Sequence, residues 1–114
     1  MNDGRRDQRA DAVIDWTVRD NSVTLTVTGD IDLSNADLLQ SVITEATAEV
    51  PLAGPILVDL TGVRLMDSTG IGALVNGWQA AKDLGVRVRV AVRPGSLVER
   101  VLQIVGVYDD LVGR

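Results

Sequence analysis

From Val13 to Val18 the side chains alternate at period two, with Ile14, Trp16 and Val18 on one side and Val13, Asp15 and Thr17 on the other. After the polar cluster Arg19-Asp20-Asn21-Ser22, the alternation resumes with Val23, Leu25 and Val27 against Thr24, Thr26 and Thr28. Two β-branched runs joined by a short polar turn predict an antiparallel hairpin. Gly29-Asp30-Ile31-Asp32-Leu33-Ser34 then ends the strand and opens a helix, with Ser34 and Asp37 spaced as a capping box. Leu39, Val42, Ile43, Ala46 and Val50 share one helical face, and Pro51 and Gly54-Pro55 stop it.

The second half alternates strands and helices. Ile56-Leu57-Val58-Asp59-Leu60 is a continuous apolar run suited to a central strand covered on both faces, and Thr61 to Met66 reads as a loop. A helix from Ser68 to about Leu84 carries Ile71, Leu74, Val75, Trp78 and Ala81 on its buried side, with Asn76, Gln79, Lys82 and Asp83 facing water. Gly85 provides its stop. Val86, Val88, Val90 and Val92 alternate with Arg87, Arg89, Ala91 and Arg93, giving a strand with one polar side. Ser96 and Glu99 form a capping box over a third helix bearing Leu97, Val98, Val101, Leu102 and Val105. Gly106 ends it, and Val107 to Val112 adds a short strand or turn.

The predicted order is β-β-α-β-α-β-α. Right-handed crossovers make the later strands parallel and stack the helices mainly on one face, so the expected fold is a small mixed α/β sheet of four to five strands. Residues 1–11 mix Asp3, Asp7 and Asp11 with Arg5, Arg6 and Arg9 and predict a disordered tail, leaving 12–114 as one domain.

Composition removes most chemistry. The 114 residues are 46% apolar and 24% charged, which suits one soluble domain with a Val, Leu, Ile and Ala core. With no cysteine there is no disulfide, thiolate metal site or cysteine nucleophile. With no histidine the usual general base and nearly every zinc site are gone, so no metal or cofactor is expected. Lys82 is the one lysine and sits in no Gly-Lys-Ser/Thr phosphate loop. The net charge of −5, from 11 basic and 16 acidic residues, argues against nucleic acid and favours a neutral or basic protein partner. No apolar run approaches the ~18 residues of a membrane span. The opening residues lack the apolar segment of a secretory signal, so the expected location is the cytoplasm.

The segment Leu65-Met66-Asp67-Ser68-Thr69-Gly70-Ile71-Gly72 stands out at the start of the second helix. Asp67 or Ser68 can cap the first free N–H groups, and the helix dipole favours negative charge there. A plain helix start explains the Asp-Ser-Thr-Gly run. It does not explain two glycines in the first turns, each costing about 1 kcal/mol against alanine. Small residues at Gly70 and Gly72 let another backbone or a phosphate approach.

Met66 to Gly72 resembles the motif of STAS domains, the sulphate-transporter and anti-sigma-factor-antagonist family. Gly29-Asp30-Ile31-Asp32 is similar to that family's Gly-Glu-Leu-Asp motif, with Asp30 replacing the commoner glutamate. The resemblance covers about residues 12–112 and is nearest to free-standing bacterial anti-sigma-factor antagonists. It implies a cytoplasmic binding protein, not an enzyme, in stress-responsive transcription regulation by partner switching. Its phospho-acceptor would be Ser68, with Thr69 the weaker alternative. The implied partners are an anti-sigma factor that is a serine kinase and a phosphoserine phosphatase, with the chain a monomer or weak dimer. The implied partner-binding residues are Asp30, Asp32, Ser34, Asp67, Ser68, Thr69, Gly70 and Gly72. The competing expectation is a STAS adaptor subunit of a transport or lipid-trafficking complex, or of a stress-signalling scaffold, without a phosphoryl switch.

Elsewhere Asp59 reads as a structural cap or a support for the Ser68 segment. Arg87, Arg89 and Arg93 read as charge protecting an edge strand, or as a docking patch for an acidic partner. Trp16 and Trp78 read as core.

Overall fold

The computed structural model describes residues 4–49 and 54–112. The strands are β1 (Arg6–Arg9), β2 (Ala12–Arg19), β3 (Ser22–Ile31), β4 (Ile56–Met66) and β5 (Val88–Ala91). The helices are α1 (Ala36–Glu49), α2 (Ser68–Asp83), α3 (Leu97–Ile104) and the short α4 (Tyr108–Leu111). One five-stranded sheet runs in the order β1-β2-β3-β4-β5. The first two pairings are antiparallel and the last two parallel. This is the expected mixed α/β sheet, with an added first strand and a fourth helix.

Ile14, Trp16, Leu25, Val27, Val58 and Val90 all point to one buried side of the sheet. Leu39, Val42 and Ile43 of α1 and Leu74 and Ala81 of α2 close over the same core. The two helices approach closely because Gly77 has no side chain, since a Cβ there would lie 3.0 Å from the Ile43 Cδ1 atom. Val50 lies outside the described residues.

Several local expectations give way. The segment predicted as a tail forms β1 from Arg6 to Arg9, with Asp7 opposite Ile14 and Arg9 opposite Ala12. Its hold comes from polar contacts that hydropathy does not register. The buried Trp16 indole donates to Asp7 at 2.8 Å, and Arg5 stacks on its ring while pairing with Asp7 and Glu45. The hairpin turn needs a left-handed residue, supplied by Ala10 at φ 53°.

The central strand is longer than predicted and covered on one face only. Ile56, Val58 and Leu60 are buried, whereas Leu57 is exposed. Residues 61–66 continue the strand beside β3, the register slipping once between Thr26 and Thr28 and again between Gly29 and Asp30. Those slips change the alternation, so the run reads as irregular in sequence. Asp59 accepts from the Thr61 amide and hydroxyl, a local structural role rather than a support for Ser68.

In α2, Gly70, Ala73 and Gly77 join Ile71, Leu74 and Ala81 in the buried face, while Val75 and Trp78 are half-buried against it. Leu84 caps its C-terminal end and Gly85 follows at φ 78°, a left-handed stop that glycine adopts freely. The Ser96 cap of α3 forms as predicted, with the Glu99 amide donating to its hydroxyl, but Glu99 reaches the Gly95 amide instead of that of Ser96. Val98 and Leu102 of α3 are buried, whereas Leu97 and Val105 of its predicted apolar stripe are exposed. The segment read as a short strand or turn after Gly106 winds into α4, burying Leu111. Among the described residues no helix is long and apolar enough to cross a membrane.

Candidate functional site

The C-terminal ends of β3 and β4 lie side by side, with Ile31 opposite Met66, and the Asp67 amide donates to the Ile31 carbonyl at 3.1 Å. This bond joins the turn after β3 to the start of α2. Gly70 tightens the junction, because a Cβ there would come within 2.7 Å of Met66 Cγ and 2.8 Å of Ile31 Cγ2. It is therefore a packing glycine. Nothing lies within 4 Å of a Cβ built at Gly72, so that position opens outward.

Asp67 is the N-cap of α2. One carboxylate oxygen accepts the Thr69 amide at 3.0 Å, the Gly70 amide at 3.1 Å and the Thr69 hydroxyl. The Thr69 hydroxyl, followed by the Gly70 amide, holds the Asp67 carboxyl below the usual aspartate range. Ser68 and Thr69 are both exposed, yet their hydroxyls differ. That of Thr69 is tied to Asp67, whereas among the described residues none engages that of Ser68.

The turn after β3 is organised by Asp32 and Asn35. The Asp32 carboxylate accepts the Ser34 amide at 2.9 Å and also the Ser34 hydroxyl. The Ser34–Asp37 capping box is thus replaced: Ser34 donates back to Asp32, and α1 begins two residues later, at Ala36. Asn35 is the buried polar residue here, accepting the Asp32 amide at 3.0 Å and donating to the Asp30 carbonyl at 2.9 Å. Nothing in the hydropathy pattern marks it; its signal is an Asx residue three places after Asp32.

Asp30 points elsewhere. Its two carboxylate oxygens meet the Arg64 guanidinium at 3.2 and 3.0 Å, and Arg64 also reaches Asp11 at 3.4 Å. Ser34, Thr69 and Gly72 line a shallow groove between the first turns of α1 and α2, with Arg9 and Leu33 on its rim. Leu33 is 80% exposed. Arg9 pairs with Asp37 and holds that carboxyl below the ordinary aspartate range. Neither Arg9 nor Leu33 was singled out by the sequence motifs. Of the eight residues named from sequence, Ser34, Thr69 and Gly72 share the groove and Ser68 adjoins it. Asp32, Asp67 and Gly70 build its frame, and Asp30 is engaged outside it.

The charged side chains that line the groove, Arg9 and Asp37, are tied to each other in an ion pair. Among the described residues no group of three or more potential ligands could hold a metal. The groove presents an exposed leucine and small residues, with the unengaged Ser68 hydroxyl at its edge, which suits protein contact.

Residues 13–112 match the STAS domain family. A Mycobacterium tuberculosis protein provisionally named an anti-anti-sigma factor is 30% identical over 94 residues, covering 75% of this chain. The chain spans 64% of that relative's length. The crystal structure of an anti-sigma factor antagonist from Mycobacterium paratuberculosis superposes with a TM-score of 0.70 at 20% identity, covering 88% of this chain and 82% of that one. The phosphorylated form of the Bacillus cell fate determinant SpoIIAA gives 0.62 at 18% identity, over 82% of this chain and 83% of that one. At these identities the two structural likenesses speak for the fold.

Proposed function

The chain belongs to the STAS domain family, and on that footing we propose that it is an anti-sigma-factor antagonist switched off by phosphorylation at Ser68. In the free state it would bind an anti-sigma factor, which thereby releases its sigma factor. The observation that carries this reading is the contrast between two neighbouring hydroxyls: Thr69 is held by Asp67, while Ser68 is exposed and, among the described residues, unengaged. The anti-anti-sigma factor relative supports the same role.

The anti-sigma factor is read as a serine kinase that brings ATP, magnesium and the base. The Ser68 oxygen attacks the terminal phosphorus of ATP, the hydroxyl proton passes to the kinase base, and ADP leaves. This chain needs only to present the hydroxyl, which agrees with its lack of histidine and cysteine. A phosphatase reverses the step.

A phosphoserine carries roughly two negative charges. The α2 N-terminus tolerates them, since the Ser68 amide and the helix dipole lie beside the phosphate. The partner surface would not. Asp67 is adjacent in sequence, and Arg64 is already engaged by Asp30 and Asp11. A cost of ~3 kcal/mol from like charge and desolvation weakens binding on the order of a hundredfold.

The test is titration of an anti-sigma kinase with the unmodified and Ser68-phosphorylated protein by calorimetry. Tight binding of the first and loss of binding by the second supports the switch. Equal binding of both forms would leave a constitutive adaptor instead.

A further inference from the structure

We propose that α3 is a second docking surface, separate from the Ser68 switch, for an acidic amphipathic segment of another protein. The helix carries more apolar surface than the core takes up. Val98 and Leu102 are buried, whereas Leu97, Ile104 and Val105 remain 58%, 75% and 50% exposed. Leu97 and Ile104, with the half-buried Val101 between them, follow the i, i+4, i+7 spacing that forms one ridge. An exposed ridge of large side chains on a small domain marks a contact surface.

Charge selects the occupant. Arg100 lies on the same helical face, three residues after Leu97 and four before Ile104, and Arg93 stands in the turn leading into the helix. Among the described residues neither arginine has an ion-pair partner. The one acid of α3, Glu99, accepts from the Gly95 amide at 2.9 Å and from the Tyr108 hydroxyl at 3.3 Å. Arg5, Arg6, Arg9 and Arg64 each meet an aspartate or glutamate, whereas Arg19, Arg87 and Arg89 share with Arg93 and Arg100 the lack of an ion pair among the described residues; what sets Arg100 apart is its place beside the apolar ridge. A second copy fits the ridge poorly. A two-fold contact centred on the ridge sets Arg100 against its own symmetry mate at the axis, where like charges repel. A helix with leucines on one face and flanking carboxylates satisfies both the ridge and the cations.

The probe is a fluorescein-labelled synthetic helical peptide with leucines on one face and flanking glutamates, titrated with the full chain and followed by anisotropy. Its control carries lysine in place of glutamate. The acidic peptide should bind and weaken with added salt. Ile104→Glu and Arg100→Glu should each reduce affinity by roughly tenfold or more, and Ser68→Ala should leave it unchanged. Both altered side chains are exposed, so thermal melts should match the parent, and a variant that does not fold is replaced by Leu97→Ser. Absence of binding, equal binding of the lysine peptide, or indifference to both charge variants overturns the proposal. So does a dimer in sedimentation velocity that Ile104→Glu abolishes, because a second copy would then own the ridge.

Discussion

The Thr69 hydroxyl donates to the Asp67 carboxylate, and this bond separates two hydroxyls that are neighbours in sequence. Ser68→Ala should therefore abolish phosphate incorporation from labelled ATP by an anti-sigma kinase. Thr69→Ala should still be labelled at Ser68, with a less stable helix start. Full labelling of Ser68→Ala would move the acceptor elsewhere.

Asp67 is stabilised in its ionised form by the Thr69 hydroxyl and the amides of Gly70 and Thr69. A depressed folded value means that the contribution is present above the unfolded aspartate value of about 4 and is lost as pH falls through the folded one. Asp67→Asn should accordingly flatten the acid side of the stability profile below about pH 4. Asp67→Ala should also lower the melting temperature at neutral pH, by on the order of 5 °C.

The two glycines of the motif should respond in opposite directions. Gly70→Ala drives a methyl into Met66 and the stiff Ile31 side chain and should cost about 1–3 kcal/mol in urea unfolding. Gly72→Ala meets open space and should stabilise the helix by up to about 1 kcal/mol. If the partner backbone comes close over this position, the same Gly72→Ala variant should bind the anti-sigma factor more weakly despite its added stability.

Asp7 accepts the N–H of the buried Trp16 indole. Asp7→Ala leaves that donor unsatisfied and should destabilise the domain by about 1–3 kcal/mol. An unchanged unfolding midpoint would mean that β1 contributes nothing in solution.

Much of the fold was legible because its strands and helices obey simple periods. The alternation through Ile14, Trp16, Leu25 and Val27 placed the hairpin, and the stripe through Leu39, Val42 and Ile43 placed α1. β1 was missed because its contacts are a cation over an indole and a set of carboxylates, which look like solvated charge in a linear reading. The second half of β4 was missed because two register slips against β3 break its alternation.

At the candidate site, the chain's own order of residues was enough to mark Asp67-Ser68-Thr69-Gly70 as a helix start and Ser68 and Thr69 as its hydroxyls. That much is local chemistry, because caps and first-turn donors lie within three residues of each other. Which hydroxyl is free, which glycine packs and which opens outward, and that Asp30 turns to Arg64 were decided by the tertiary structure alone. Those answers depend on β3, β4 and α1 meeting in space, and long-range packing of that kind leaves no period in the sequence.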